Sequence, residues 1–140
     1  MDRRMKNFAL ALSIVTLTTF TSAGIAASMY GHSLEGGIPF VAGGVGKDNR
    51  SELELLSPRY HLRVTNALRT GELVSDIHVR LRDANGRIVL DTIASGPILL
   101  ADPLPGAYTL ESEFQGQNQT RNIRIGSGSQ TEVKSSWRLS

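Results

Sequence analysis

Beyond residue 59 the chain alternates apolar and polar side chains with a period of two, the pattern of a strand with one buried face. Polar turns separate these segments, among them Asn85-Gly86, whose residues adopt positive φ at low cost. The expected strands lie at 59–65, 76–82, 87–93, 97–101, 108–114, 123–125 and 132–139. Seven short strands without a long helical pattern predict an all-β protein, a seven-stranded antiparallel β-sandwich over residues 59–140.

Residues 27–47, which precede these strands, are rich in glycine. Ordering glycine has a high cost in backbone entropy, so we expect an arm that is either mobile or laid against the domain. Three apolar residues in it, Ile38, Phe40 and Val41, are able to dock it.

A short helical pattern follows the glycine-rich arm and completes a segment over 27–58. Asp48 or Ser51 is the expected N-cap, since Ser51 begins a capping-box spacing. Leu53 and Leu56 share one face of the predicted helix, and Pro58 ends it. The pattern therefore predicts a short N-terminal helix between the arm and the sandwich.

Residues 1–26 have the features of a signal peptide. Arg3, Arg4 and Lys6 precede an apolar run over 8–20, and small residues lie before a cleavage position after Ala26. A run of 13 residues is too short for a membrane-spanning helix, which needs about 20. We expect an exported protein, periplasmic or secreted, with no stable membrane anchor after cleavage.

Charge and cysteine content narrow the function classes. The whole chain has 15 basic and 13 acidic residues, but the signal segment holds three of the former and one of the latter, which leaves twelve of each. A neutral mature chain gives no basis for nucleic acid as a partner. The absence of cysteine excludes disulfides, thiolate zinc sites and a cysteine nucleophile. No cofactor is predicted.

The outward positions of the first two predicted strands provide candidate ligand-binding residues. If the two strands share a sheet, their guanidinium groups are able to receive a carboxylate or a sugar acid in bidentate fashion. The alternative is that these arginines form exposed ion pairs with Glu111 and Glu113. The two histidines with Asp76 lack a further ligand, so no metal site is predicted. The candidate residues are His61, Arg63, His78, Arg80 and Arg82.

Four segments carry a resemblance to a known family. Together they resemble the carboxypeptidase regulatory-like domain, and they are Val64-Thr65-Asn66, residues 70–81, Asn85-Gly86-Arg87 and Leu104-Pro105-Gly106-Ala107-Tyr108-Thr109-Leu110. The similarity covers about residues 60–138, and the segment Gly43–Asp48 is similar to an arm in small exported proteobacterial proteins of this group. The family pattern has adjacent prolines before the glycine, whereas here the first one is displaced to Pro103.

The resemblance implies a seven-stranded prealbumin-like sandwich and a non-catalytic module that contributes folding support or a binding surface. We therefore expect an envelope protein as the partner, contacted through the glycine-rich arm and the sheet edges. The alternative is a small-molecule or metal-binding module that uses the Arg/His face.

A third reading is a hydroxyisourate hydrolase-like enzyme, because this fold class includes such hydrolases. They end in Tyr-Arg-Gly-Ser, and this chain ends in Trp137-Arg138-Leu139-Ser140. Leu139 replaces the glycine, and Thr65 stands where that family keeps a histidine. Without a general base the proton transfers of hydrolysis have no carrier, so no catalytic residues are predicted.

Overall fold

The computed structural model describes residues 29–32 and 37–139. The predicted signal peptide over 1–26 lies outside this part of the chain. Helix α1 (Lys47–Leu56) and a 3₁₀ turn (Ser57–Arg59) separate the second strand from the third. The strands of the described part are β1 Met29–His32, β2 Pro39–Gly43, β3 Leu62–Leu68, β4 Ile77–Arg82, β5 Ile88–Ala94, β6 Ile98–Ala101, β7 Gly106–Phe114, β8 Gln117–Ile125 and β9 Thr131–Trp137.

The described strands form two sheets in a sandwich-like, two-layer β architecture. The five-stranded sheet has the order β1-β2-β6-β3-β9, and the four-stranded sheet has the order β5-β4-β7-β8. Neighbouring strands are antiparallel except β3 and β9, which run parallel. The sequence prediction is corrected in two respects, because the glycine-rich arm adds β1 and β2 and because the sheets are not purely antiparallel.

The core lies between the two sheets and follows from the period of two. Along β3 and β4 every second side chain is buried, so each strand places one face against the other layer. At one end of the sandwich Phe114 and Trp137 pack with ring centroids 5.7 Å apart. The Trp137 indole nitrogen donates a hydrogen bond to Oδ1 of the fully buried Asn66 at 3.0 Å.

The described residues of the segment expected as an arm, 29–32 and 37–47, are part of the fold. Phe40 and Ala42 on β2 belong to the core between the sheets, whereas Val41 points to the other side and packs with Leu53 of α1. The four residues of β6 are all buried, because α1 covers the outer face of this sheet. Among the described residues no helix has the length and apolar character needed to cross a bilayer.

Glycine has a backbone role where β2 turns into α1 and where β5 turns into β6. Gly46, with φ of 85°, is the N-cap of α1, and neither Asp48 nor Ser51 is the cap that the sequence predicted. A side chain at Gly96 would place its Cβ 2.2 Å from the carbonyl oxygen of Gly43. Glycine density here therefore permits a left-handed turn and a close approach of two backbones.

Candidate functional site

The predicted Arg/His face does not form as one surface. We expected the first two predicted strands to share a sheet, but β3 lies in the five-stranded sheet and β4 in the four-stranded sheet. The connection from Leu68 to Ile77 crosses between layers and includes Asp76 at φ of 63°. His61 and Arg63 are consequently on a different layer from His78, Arg80 and Arg82.

Arg63 fastens helix α1 to the outer face of the five-stranded sheet. Its guanidinium donates to Glu54 Oε1 at 2.6 Å and to Ser57 Oγ at 3.2 Å. Glu132 on β9 lies 3.7 Å from its Nε. With 15% of the side chain exposed, Arg63 stabilises the helix–sheet contact, and its charge is already matched by two carboxylates.

His61 joins the start of β3 to the end of β6. Its Nδ1 lies 2.5 Å from Oδ1 of Asp102, which also accepts a hydrogen bond from the His61 backbone at 3.2 Å. The hydrogen bond with Asp102 raises the pKa of His61, and the backbone at Ser127 adds to this rise. The Thr131 amide donates to the His61 carbonyl oxygen at 2.8 Å, so this histidine also holds the chain entering β9.

The other candidates lie on the outer face of the four-stranded sheet, which we call the charged face. His78 Nε2 is hydrogen-bonded to Asp91 Oδ1 at 2.6 Å, and this bond lowers the pKa of Asp91. Arg80 and Arg82 both form ion pairs with Glu111, at 3.4 and 3.2 Å. This agrees with the alternative that these arginines pair with Glu111. The charged face consists of His78, Arg80, Arg82, Asp91, Glu111 and Glu113.

A depression of about 230 Å³ lies over the charged face and extends to Asn118, Gln119 and Thr120 on β8. An anion entering it would have to displace Glu111 or Asp91 from the arginines, because both guanidinium groups already face carboxylates. The electrostatics therefore disfavour a carboxylate ligand here and are those of a polar surface that is largely neutralised by its own ion pairs.

A second depression, of about 340 Å³, lies between the β4–β5 hairpin and the start of β7. Tyr108 lines it, and its hydroxyl donates to the Leu104 carbonyl oxygen at 2.7 Å while its ring packs against the core. Burial raises the pKa of Tyr108. The Pro-Gly-x-Tyr element thus has a structural role at the entry to β7, where Gly106 adopts φ of 153°.

The outer edge of β9 is closed by side chains of β8. Every second side chain along the first part of β8 donates a hydrogen bond to a backbone carbonyl oxygen at this edge. The three accepting carbonyl groups are also two residues apart; two belong to β9 and the third to the residue that follows it. We call Gln117, Gln119 and Arg121 the side-chain ladder. Its hydrogen bonds are Gln117 Nε2 to Arg138 O at 2.6 Å, Gln119 Nε2 to Ser136 O at 2.7 Å, and Arg121 Nη2 to Lys134 O at 3.1 Å.

The outer edge of β5 has no comparable cover from the described part of the chain. β5 pairs with β4 on one side, and on the other side the Ile38 amide donates to the Val89 carbonyl oxygen at 3.1 Å. Ile93, near the end of the strand, is 61% exposed. Sequence reasoning placed this strand but missed its edge position. The sequence carries no signal for it, because β-branched residues occur in central and edge strands alike and the lysine or proline that usually protects an open edge is absent from β5.

The residues behind the hydrolase reading do not meet. Thr65 lies on the face of β3 opposite to the buried Val64, whereas Trp137 is 1% exposed inside the core. Within residues 37–139 no group of three or more His, Cys, Asp or Glu side chains has a metal-binding arrangement. Comparisons of the chain with protein-family models, with curated proteins and with solved structures gave no match.

Proposed function

We propose that this chain is an exported, non-catalytic protein-interaction module of the cell envelope, and that its partner adds a strand to the open edge of β5. The difference between the two sheet edges carries the proposal. An exposed strand edge presents backbone donors and acceptors to another chain, and strand addition is a recurrent mode of peptide recognition.

The proposed export is compatible with the architecture. Cleavage after Ala26 leaves all described residues in the mature chain, with β1 starting at Met29. The resemblance to the carboxypeptidase regulatory-like domain, with its prealbumin-like sandwich, supports a module without catalytic residues of its own. In this proposal β5 is the contact strand, and the charged face beside it orients the partner.

Site-specific crosslinking in the periplasm tests the proposal. Because the chain contains no cysteine, Ile93→Cys creates a single attachment site for a photoreactive label on the β5 edge. Leu55→Cys is the matched control, since Leu55 is 82% exposed on α1, which packs on the opposite layer. We expect a discrete adduct from position 93 that excess unlabelled wild-type chain suppresses.

Two further observations decide the outcome. Excess unlabelled Ile93→Lys chain should fail to suppress the adduct, because a lysine on an open edge opposes strand pairing. Equal adducts from positions 93 and 55, or suppression by both competitors, would contradict the proposed contact site.

A further inference from the structure

We infer that the strand accepted by β5 comes from a different polypeptide and carries a basic side chain opposite Asp91 with an apolar side chain two positions away, opposite Ile93. This inference rests on the proposed function of the β5 edge. The open edge shows only that a strand can pair with β5, whereas this inference specifies which side chains that strand carries.

The Ile38–Val89 hydrogen bond limits the length of the open edge. Since the Val89 carbonyl oxygen already accepts the Ile38 amide, an added strand pairs with residues 90–94. Leu90 and Ala94 point into the core and are buried. The residues of this stretch that point outward are Asp91 and Ile93, as shown by their pairing with Arg80 and His78.

The two outward residues set the chemistry of the partner strand. Asp91 is 31% exposed, and its lowered pKa keeps the carboxylate ionised at neutral pH. The three carboxylates of the charged face, Asp91, Glu111 and Glu113, outnumber its two guanidinium groups, those of Arg80 and Arg82. A lysine or arginine opposite Asp91 balances this excess, and an apolar residue opposite Ile93 covers its exposed side chain.

Pairing with a second copy of the chain does not supply this complement. A two-fold antiparallel pairing centred on Asp91 would place two Asp91 carboxylates directly opposite each other, which is destabilising. Centred on Thr92, it would place Asp91 opposite Ile93 of the second copy, so the added strand would bring no cation to the carboxylate. The edge therefore fits a heterologous strand better than itself.

Labelled peptides test the inference on the mature chain, residues 27–140. The first probe has the core Ile-Thr-Lys-Thr-Ile, which presents the same pattern in either strand direction, and the second replaces lysine by glutamate. A third is the lysine peptide with alternate backbone nitrogens methylated, which removes strand hydrogen bonds. Fluorescence anisotropy measures affinity, and hydrogen exchange at residues 90–94 locates binding.

We expect the lysine peptide to bind about fivefold more tightly than the glutamate peptide at low salt. The preference should shrink at about 0.5 M salt because exposed charges are screened. Asp91→Asn should remove it, and a thermal melt verifies that this variant is folded. Ile93→Lys should weaken the lysine peptide at least tenfold, while the control Leu55→Lys leaves its affinity unchanged.

The remaining outcomes separate the inference from the proposed function. Equal, salt-independent binding of both charged peptides with protection at 90–94 would overturn the charge requirement and leave strand addition intact. Binding of the methylated peptide as tightly as its parent would overturn strand addition itself. Concentration-dependent dimerisation that Ile93→Lys abolishes would overturn the heterologous partner. If no peptide binds while position 93 still gives the specific adduct, the inferred chemistry is wrong and the contact site stands.

Discussion

Strands β9 and β5 are both seven-residue edge strands, but their outer edges are covered to different extents by the described residues. β9 is held on its inner side by seven parallel pairs with β3 and on its outer side by the side-chain ladder. β5 is paired with β4 and receives the Ile38 amide at one position of its other side. A sheet edge in this molecule can therefore be closed without a further strand, by side chains of the opposite layer.

The comparison also explains the composition of β8. Its side chains at 117, 119 and 121 are on the face that would otherwise enter the core, but they are polar because they end at β9 carbonyl groups. Farther along, Ile125 returns to the core and is buried. The cost of a polar inward face on β8 is offset by hydrogen bonds that protect the edge of β9.

The largest effect should come from removing the core anchor of β9. Trp137→Ala deletes a side chain that is buried between the layers, and it removes the hydrogen bond that the indole nitrogen donates to Asn66 Oδ1. We expect a loss of about 3–5 kcal/mol in the free energy of unfolding, measured by urea denaturation. Ile93→Ala on β5 is the matched control and should cost less than about 1 kcal/mol, since Ile93 is mostly exposed. Equal losses would show that β5 is anchored as firmly as β9.

Removing the side-chain ladder should have the next largest effect. The triple substitution Gln117→Ala, Gln119→Ala and Arg121→Ala deletes three hydrogen bonds to exposed carbonyl groups. We expect a loss of about 1–3 kcal/mol and a tendency of the protein to self-associate through β9, detected by sedimentation.

The opposite face of β8 supplies the control for the ladder. Asn118, Thr120 and Asn122 point outward on the same strand and are exposed, so their triple alanine variant should sediment as the wild type does, with nearly unchanged stability. Self-association of this control beyond that of the wild type, or a ladder variant that sediments as the wild type does, would contradict the role of the ladder in closing the edge.

The ladder also shows the limit of sequence reasoning. Strands β3, β4, β7 and β9 were located because one face of each is apolar. The expected strand at 123–125 was too short, because the first part of β8 has polar side chains on both faces and its inward ones bind backbone, which the hydrophobic pattern does not register. The start of β8 at Gln117 requires knowledge of the neighbouring layer.

Two other features depend on tertiary contacts. β2 was read as part of an arm because glycine surrounds it, and the burial of Val41 becomes visible only when α1 is placed over the sheet. Consecutive strands usually pair, so β3 and β4 were expected to be neighbours. The chain crosses between the layers near Asp76, which places β3 and β4 in different sheets. The residues of the predicted Arg/His face are therefore divided between the two layers.

On the β5 side, the Asp91 carboxylate should make the free energy of unfolding depend on pH in the acidic range. Its folded-state pKa is lowered from 3.8, chiefly by the hydrogen bond with His78. Its contribution is therefore present above the unfolded value and is lost as the pH falls through the folded one. Asp91→Asn should reduce the free energy of unfolding by about 1 kcal/mol or less at pH 7, and the difference from wild type should vanish in strong acid. A constant difference over that range would contradict the ionic origin.

On the β9 side, His61 should act in the opposite direction. Its folded-state pKa is raised above 6.5 by Asp102, so its contribution is fully present below that value and is lost as the pH rises through the folded pKa. We expect His61→Gln to be less stable than wild type at pH 5, with a gap that narrows towards pH 9 in chemical denaturation. The effect should be smaller than that of Asp91 because the ring is solvated. Asp102→Asn should abolish the same pH dependence. If the pH dependence persisted in this variant, another titratable group would be its cause.

The smallest effect on stability should come from Ile93→Lys, because the substituted side chain is already 61% exposed. We expect the free energy of unfolding to change by less than about 0.5 kcal/mol, with unchanged hydrogen exchange at residues 90–94 in the isolated protein. The new cation lies beside His78 and across the charged face from Glu113, so repulsion and attraction largely offset each other. A loss above about 1 kcal/mol would mean that the chain itself already covers this edge, and β5 would then be as closed as β9.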